Sequence, residues 1–310
     1  MFLIRAKDLR TTTQGSLYIH AVLVDRSGQM VARAWQATEE MFHMMPEGGF
    51  LRFKGRVENY KGNLQFIVDG ISPAEAGTFD IGDFLPKAPG DSDARFQRLR
   101  EILSGLTDAN LAALAEVFLA DEMLMSGFRR APAAAALHHA YIGGLLEHTL
   151  SLLEVALKVV PLYPRLSLDL ILVGLFLHDI GKAKELTYET AIGYSDQGQL
   201  IGHIALATMM IEEKAKEAAA KTGKPFPDRL RWALQHIVLS HHGQYAFGSP
   251  KLPALPEAMA IHYLDNLDAK LNMFFTAVDD DRDPHAHWTE YVRAIETKVY
   301  KLDPMTDELL

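Results

Sequence analysis

Seven imidazole and carboxylate side chains stand in a fixed order along the middle and later part of this chain: His148, then His178-Asp179, then His203, then His241-His242, then Asp265. Each group lies on or at the end of a separate segment with helical periodicity. His148 shares the inward stripe of positions 145, 148, 152, 156 and 159. The segment Leu168 to Leu177 is apolar nearly all round, as a central buried helix is, and it ends in His178-Asp179-Ile180-Gly181-Lys182. His203 has Leu200, Ile204, Ala207 and Ile211 on its face, His241 follows Leu234, Ile237 and Val238, and Asp265 sits beside Leu264, four residues after Ile261. Ionisable groups at the tips of apolar segments need a strong compensating partner, because burying an isolated charge is very costly. One such histidine alone is more often a satisfied core residue than a ligand. Five helices each turning a nitrogen or oxygen donor inward point instead to bound metal.

Neighbours on a helix point about 100° apart, so Asp179 can reach a second ion while His178 holds the first. The expected division gives one divalent ion to His148, His178, Asp179 and Asp265, and a second to Asp179, His203, His241 and His242. The chain has no cysteine, which excludes disulfides, zinc thiolate sites and thiol nucleophiles. Imidazole and carboxylate donors favour manganese, with iron, cobalt, magnesium or nickel as alternatives, over a structural zinc. Two ions sharing a carboxylate can activate a water, orient a phosphate and stabilise the attacking and leaving oxygens of its ester. Asp179, Lys182 and Asp268 are the candidate catalytic residues. Lys182 reaches the phosphate as a point charge or is a plain helix-end lysine; Asp268 orients a ligand, acts as acid or base, or caps. His138 and His139 contact the leaving group or merely cap the first helix. Tyr245, in the flexible stretch from Gly243 to Pro250, stacks a terminal base over the metals or belongs to a plain connector.

The elements that must carry these groups follow from pattern. Residues 1–75 read as short strands, Leu17 to Val24, Met30 to Trp35, Phe50 to Val57 and Leu64 to Val68, with a brief helix from Thr38 to Met45. Four or five strands with one helix among them fit a small barrel of the OB type. Residues 76–92, rich in proline and glycine, read as a linker, and 93–310 as an all-α module, ending in a helix from His287 to Tyr300. The fold class is therefore multidomain: a small β-barrel, then helices. Arg52, Lys54 and Arg56 alternate along one strand, and with Lys61, Trp35, Tyr60 and Phe66 they form a candidate single-strand nucleic-acid face, cations for phosphates and rings for bases. The bland alternative is barrel core and solvated surface.

Net charge is −9, which opposes a nucleic-acid glove taken alone. Residues 1–75 hold 9 Lys+Arg against 8 Asp+Glu, a balance of +1, so the remainder carries −10. Neither a cleavable leader pattern nor an apolar run long enough to span a bilayer is present, so the expectation is a cytoplasmic protein without membrane partners.

The order H, HD, H, HH, D resembles the HD superfamily of metal-dependent phosphohydrolases. The stretches 138–149, His178-Asp179-Ile180-Gly181-Lys182, Ser240-His241-His242-Gly243 and 262–270 are similar to the YhaM type of 3′→5′ exoribonuclease, as are Phe247-Gly248-Ser249-Pro250 and Trp288-Thr289-Glu290-Tyr291. That resemblance implies an OB module followed by an HD module, and hydrolysis of single-stranded RNA, or of single-stranded DNA, to nucleoside 5′-monophosphates. Two other functions stay open on the residues: an HD-type nucleotide or cyclic-nucleotide phosphohydrolase, and a non-catalytic nucleic-acid-binding protein with structural metals. A homo-oligomer is expected, with the barrel or the last helix as contact surface.

Overall fold

A computed structural model describes residues 1–25, 28–60, 62–74, 79, 84, 87–134, 139–188, 192–279, 281, 283 and 286–306. Two compact units result: Met1–Lys87 with Thr187–Gly193, and Ala88–Leu186 with Tyr194–Leu310.

In the first unit, alternation of apolar and polar residues makes five strands, β1 (Phe2–Thr11), β2 (Leu17–Asp25), β3 (Gly28–Trp35), β4 (Phe50–Tyr60) and β5 (Asn63–Pro73). They close into a barrel in the order β1-β2-β3-β5-β4, with β3 parallel to β5 and β1 meeting β4 at Phe2↔Leu51 and Leu3↔Phe50. Closure removes the exposed sheet edges that invite aggregation. Ile4, Ile19, Leu23, Ala32 and Val68 fill the interior. The helix expected at Thr38 to Met45 is α1 (Glu39–His43), capped by Thr38, whose Oγ1 accepts from the Met41 N–H at 3.1 Å. It brings Met41, Phe42 and Met45 onto the barrel core. Within the span expected to be linker, Phe84 is buried, and its ring packs with Phe79 on Phe50 of β4.

The second unit is helical: α2 (Ser92–Ser104), α3 (Ala109–Ala120), α4 (Glu122–Arg130), α5 (Gly144–Val159), α6 (Leu168–Leu177), α7 (Lys182–Glu185), α8 (Asp196–Ile201), α9 (His203–Thr222), α10 (Asp228–Ser240) and α11 (Pro256–Asp279). Aspartates 91, 108 and 121 and serines 167 and 195 cap five of them, each side chain accepting a backbone N–H of the first turn. The α6 helix, apolar but for Asp169, is the hub, packed against α3, α5, α10 and α11. Its Phe176 meets Phe118 of α3 and Phe128 of α4 edge-on, with ring centroids 6.1 and 5.7 Å apart.

Two expectations fail here. Leu200 does not share the buried face of His203: Gly202, at φ +77°, breaks the chain between α8 and α9, and Leu200 is 85% exposed. Nor is 287–300 a helix. Trp288↔Tyr300 and Val292↔Thr297 form antiparallel bridges around a 3-10 turn at Arg293–Ile295. The segment's Thr289, Val292, Ile295, Thr297 and Val299 are β-branched, and their side chains favour extended backbone over a helix.

Candidate metal centre

The hub helix delivers two donors at its C-terminal end, where backbone carbonyls are free to accept. His178 caps α6, Asp179 follows, and both are buried. His148 comes from the second turn of α5, His203 opens α9, His241 caps α10 and Asp265 lies in the middle of α11. Gly181 lets the chain pass directly under α9: a Cβ there would stand 2.1 Å from the His203 carbonyl oxygen.

Every imidazole of the set has its Nδ1 engaged. That of His178 lies 2.7 Å from the Leu175 carbonyl, that of His241 2.7 Å from the Val238 carbonyl and that of His242 2.9 Å from the Phe247 carbonyl. The Nδ1 of His148 meets Asp268 at 2.8 Å, and that of His203 meets Glu185 at 3.0 Å. A carbonyl can only accept, so Nδ1 carries the proton in the first three and the Nε2 lone pair is left for the interior; the carboxylates impose the same tautomer on the other two whenever those rings are neutral.

Those nitrogens converge on carboxylate oxygens. Asp179 Oδ2 lies 3.4 Å from His178 Nε2 and 4.0 Å from His148 Nε2, while its Oδ1 lies 3.5 Å from His203 Nε2 and 3.6 Å from His241 Nε2. Asp265 Oδ1 is 3.2 Å from His148 Nε2 and 3.9 Å from His178 Nε2. The two oxygens of one aspartate thus face two different groups of histidines. Among the described residues, His178 Nε2, His203 Nε2, His241 Nε2 and Asp179 Oδ1 are buried without a hydrogen-bond partner. Acceptor faces acceptor in a buried site, an arrangement that positive charge between them would stabilise. The donor atoms of His148, His178 and Asp179 lie within 4.8 Å of one another, as do those of His203, His241 and His242. The residues therefore fit divalent cations.

Electrostatics agree. Burial lowers the pKa of His178 and His241, and burial with the neighbouring His241 brings His242 down to about 4, so all three are neutral bases at neutral pH. Burial opposes ionisation of Asp265, but the hydrogen bond with His148 holds it well below the usual carboxylate range. Asp179 is likewise held down against its burial, first by Lys182, whose Nζ sits 2.7 Å from Oδ2. Burial would lower His148, yet Asp265 and Asp268 raise it to about 9.

The HD domain family matches residues 145–270, a span that contains all seven donors. Over 299 residues the chain is 32% identical to the 3′-5′ exoribonuclease YhaM of Geobacillus sp. (strain WCH70), covering 96% of this chain and 89% of that one. The chain belongs to the YhaM family. No solved structure matches it.

In this YhaM-family chain the three expected catalytic residues stand in different places. Asp179 is central, and Lys182, 8% exposed, is no surface lysine but lies against it. Asp268 stands behind His148 instead of facing the donors, and His139, itself buried, meets the same Asp268 oxygen as His148, at 3.0 Å; His138 falls outside the described residues. Glu185 escaped the sequence reading. It holds both the ring and the backbone N–H of His203, yet nothing in a glutamate three residues past Lys182 announces a partner at 203. Tyr245 is 65% exposed on a 3-10 turn, Tyr245–Phe247, whose last carbonyl holds His242.

On the barrel of the YhaM-family chain, Arg52 and Lys54 are exposed. Arg56 is exposed too, but its guanidinium is already engaged by Glu58 and Asp69, each at 2.9 Å, which cancels its charge. Phe66 does not offer a free ring: it packs against the barrel core and Phe2. Lys61 falls outside the described residues. Trp35 and Tyr60 are about half exposed, and with Tyr18 they surround the guanidinium of Arg33 at 5.7, 6.0 and 5.8 Å. Tyr18 and Arg33 were not singled out from the sequence, because they join this cluster only through the pairing of β2 with β3, Tyr18↔Trp35.

Proposed function

We propose that this chain is a metal-dependent 3′→5′ exoribonuclease that hydrolyses single-stranded RNA to nucleoside 5′-monophosphates. The observation that carries the chemistry is the set of buried Nε2 atoms, without hydrogen-bond partners, arrayed on both oxygens of Asp179. The direction and the RNA substrate rest on kinship with a YhaM exoribonuclease. Two divalent ions are the proposed complement, manganese first, one held by His148, His178, Asp179 and Asp265 and the other by Asp179, His203, His241 and His242. Bound there, such ions supply Lewis-acid polarisation of the phosphate and acidify the attacking water.

The protein's own groups do the rest. Asp179 presents one oxygen to each histidine group and so fixes their spacing. Lys182 is a buried cation held beside that carboxylate, a fixed positive charge to offset negative charge developing on the phosphate. Water attacks phosphorus, the bond to the 3′-oxygen of the penultimate nucleotide breaks, and that oxygen leaves with a proton. Tyr245 stacks on the terminal base, and on the barrel Trp35 and Tyr60 take upstream bases while Arg33, Arg52 and Lys54 meet phosphates.

Chelator-stripped protein resupplied with manganese is incubated with a 5′-labelled single strand of RNA, its DNA counterpart, a duplex and small nucleotides. Ladder-like shortening of the RNA strand is expected, with 5′-monophosphates released. Turnover of nucleotides without shortening of RNA would instead establish a nucleotide phosphohydrolase.

A further inference from the structure

Behind His148 lies a second set of ionisable groups that hydrolysis itself leaves unused. Asp268, three residues past Asp265, receives His148 Nδ1 at 2.8 Å, His139 Nε2 at 3.0 Å and the Ser151 hydroxyl. An ionised carboxylate only accepts, so both rings donate to it. The other nitrogen of His139 lies 2.7 Å from the Tyr141 oxygen, whose single proton goes to Glu147. That nitrogen therefore donates as well. Arg95 Nη2, 2.8 Å from Glu147, ends the chain at the surface side. The result is one connected series, Arg95, Glu147, Tyr141, His139, Asp268, His148, in which the two carboxylates accept from both sides and His139 donates in both directions.

His139 is held in this place at some cost. Its φ of +49° is uncommon for a residue with a side chain. The backbone is pinned there by an N–H bond to Asn272 Oδ1 of α11 and by its carbonyl, which accepts from Ala133 and Tyr141. Gly144 closes over it, where a Cβ would come within 2.1 Å of the His139 oxygen.

We propose that His139 is a positioning residue for the metal centre: it fixes Asp268, and Asp268 aims His148 Nε2 at its ion. The inference rests on His148 being a ligand. Donor atoms of His139, His148 and Asp268 are also close enough together to hold an ion of their own. Two N–H bonds directed at the same carboxylate oxygen oppose that, since their hydrogens occupy the face a cation would need.

The test uses the full chain, stripped with chelator, titrated with manganese by calorimetry and counted for bound ions by elemental analysis. The unaltered chain should bind two ions. His139→Phe keeps the bulk of the ring and loses both donors, and should weaken one of the two ions by about 10–100-fold, the usual cost of losing a group that orients a ligand. Its kcat should recover as manganese is raised. His139→Gln, which restores a donor toward Asp268, should regain most of the lost affinity although its metal-free Tm falls as far as that of the Phe variant. Parent affinity in His139→Phe, or equal loss in both variants, overturns the proposal, as would a third ion in the unaltered chain. Should His139→Phe fail to fold, Tyr141→Phe removes the oxygen on which His139 leans and must lower affinity by a smaller factor; unchanged affinity there also overturns it. Failure of the underlying metal reading is separately visible, as an unaltered chain that binds no ion or an Asp179→Asn chain that binds as the unaltered one does.

Discussion

Asp179 has more demands on it than any other side chain of the centre, because its two oxygens serve opposite histidine groups. Asp179→Asn keeps the shape and replaces one oxygen by an N–H-bearing nitrogen, which turns a donor toward imidazole lone pairs or lysine. RNA hydrolysis should fall by at least about 10³-fold, the order lost when one electrostatic stabiliser is removed, and ion binding at both groups should weaken together. An enzyme that loses only one ion would show that the carboxylate is not shared. The histidines also set a pH signature for the metal-free protein. His148, raised to about 9, contributes stability that is complete below about pH 6.5, its unfolded value, and is lost as pH climbs toward 9. His178, His241 and His242, all lowered, resist protonation when folded, so below about pH 6.5 protons favour the unfolded chain. The Tm in chelator should peak near pH 6.5 and decline on both sides; a continuous rise from pH 6.5 to 9 would contradict it.

At the level of elements, the centre is a meeting of helix ends. His178 and His241 cap α6 and α10, where each ring donates to a carbonyl of its own last turn, so the helix itself orients the ligand. His203 instead stands at the start of α9, and Glu185 of α7 orients it. These supports depend on the close crossing at Gly181. Gly181→Ala would drive a methyl into the His203 carbonyl and should lower Tm and kcat together, by contrast with a surface alanine substitution that leaves both alone. A variant with unaltered melting and turnover would show that α9 can slide without cost. The hub α6 has no such freedom, and truncating Phe176, buried against two other rings, should cost about 3–5 kcal/mol in a denaturant titration.

For the molecule as a whole, charge is distributed against the proposed substrate: residues beyond 75 carry −10 while the first 75 carry +1. Holding a polyanion then falls to stacking more than to ion pairing, and to the rings around Arg33. Trp35→Ala with Tyr60→Ala should raise KM for a long single strand, by about 1–3 kcal/mol per stacked base, and leave kcat on a dinucleotide unchanged. A matching loss on the dinucleotide would assign these rings a role in chemistry. Among the described residues no helix is long and apolar enough to cross a membrane. The order of histidines and aspartates, their places on helical stripes, the barrel's alternating strands and the kinship with HD phosphohydrolases were all legible in the chain, because periodicity and residue type are local properties. The partners of the supporting groups were not: Asp268 and His139 could be named from the chain but not placed behind His148, and Glu185 behind His203 and Tyr18 and Arg33 beside Trp35 are joined by packing between separate elements. The same limit explains the errors. Gly202 interrupts the helix on which periodicity puts Leu200, Phe66 packs on the barrel core, as the alternative reading of that ring has it, and 287–300 folds as bridged extended chain. Sequence alone determined which side chains could bind metal. Only the tertiary structure decided which oxygen of Asp179 faces which histidines, since those distances come from how α5, α6, α9, α10 and α11 close on one another, and no local pattern encodes that closure.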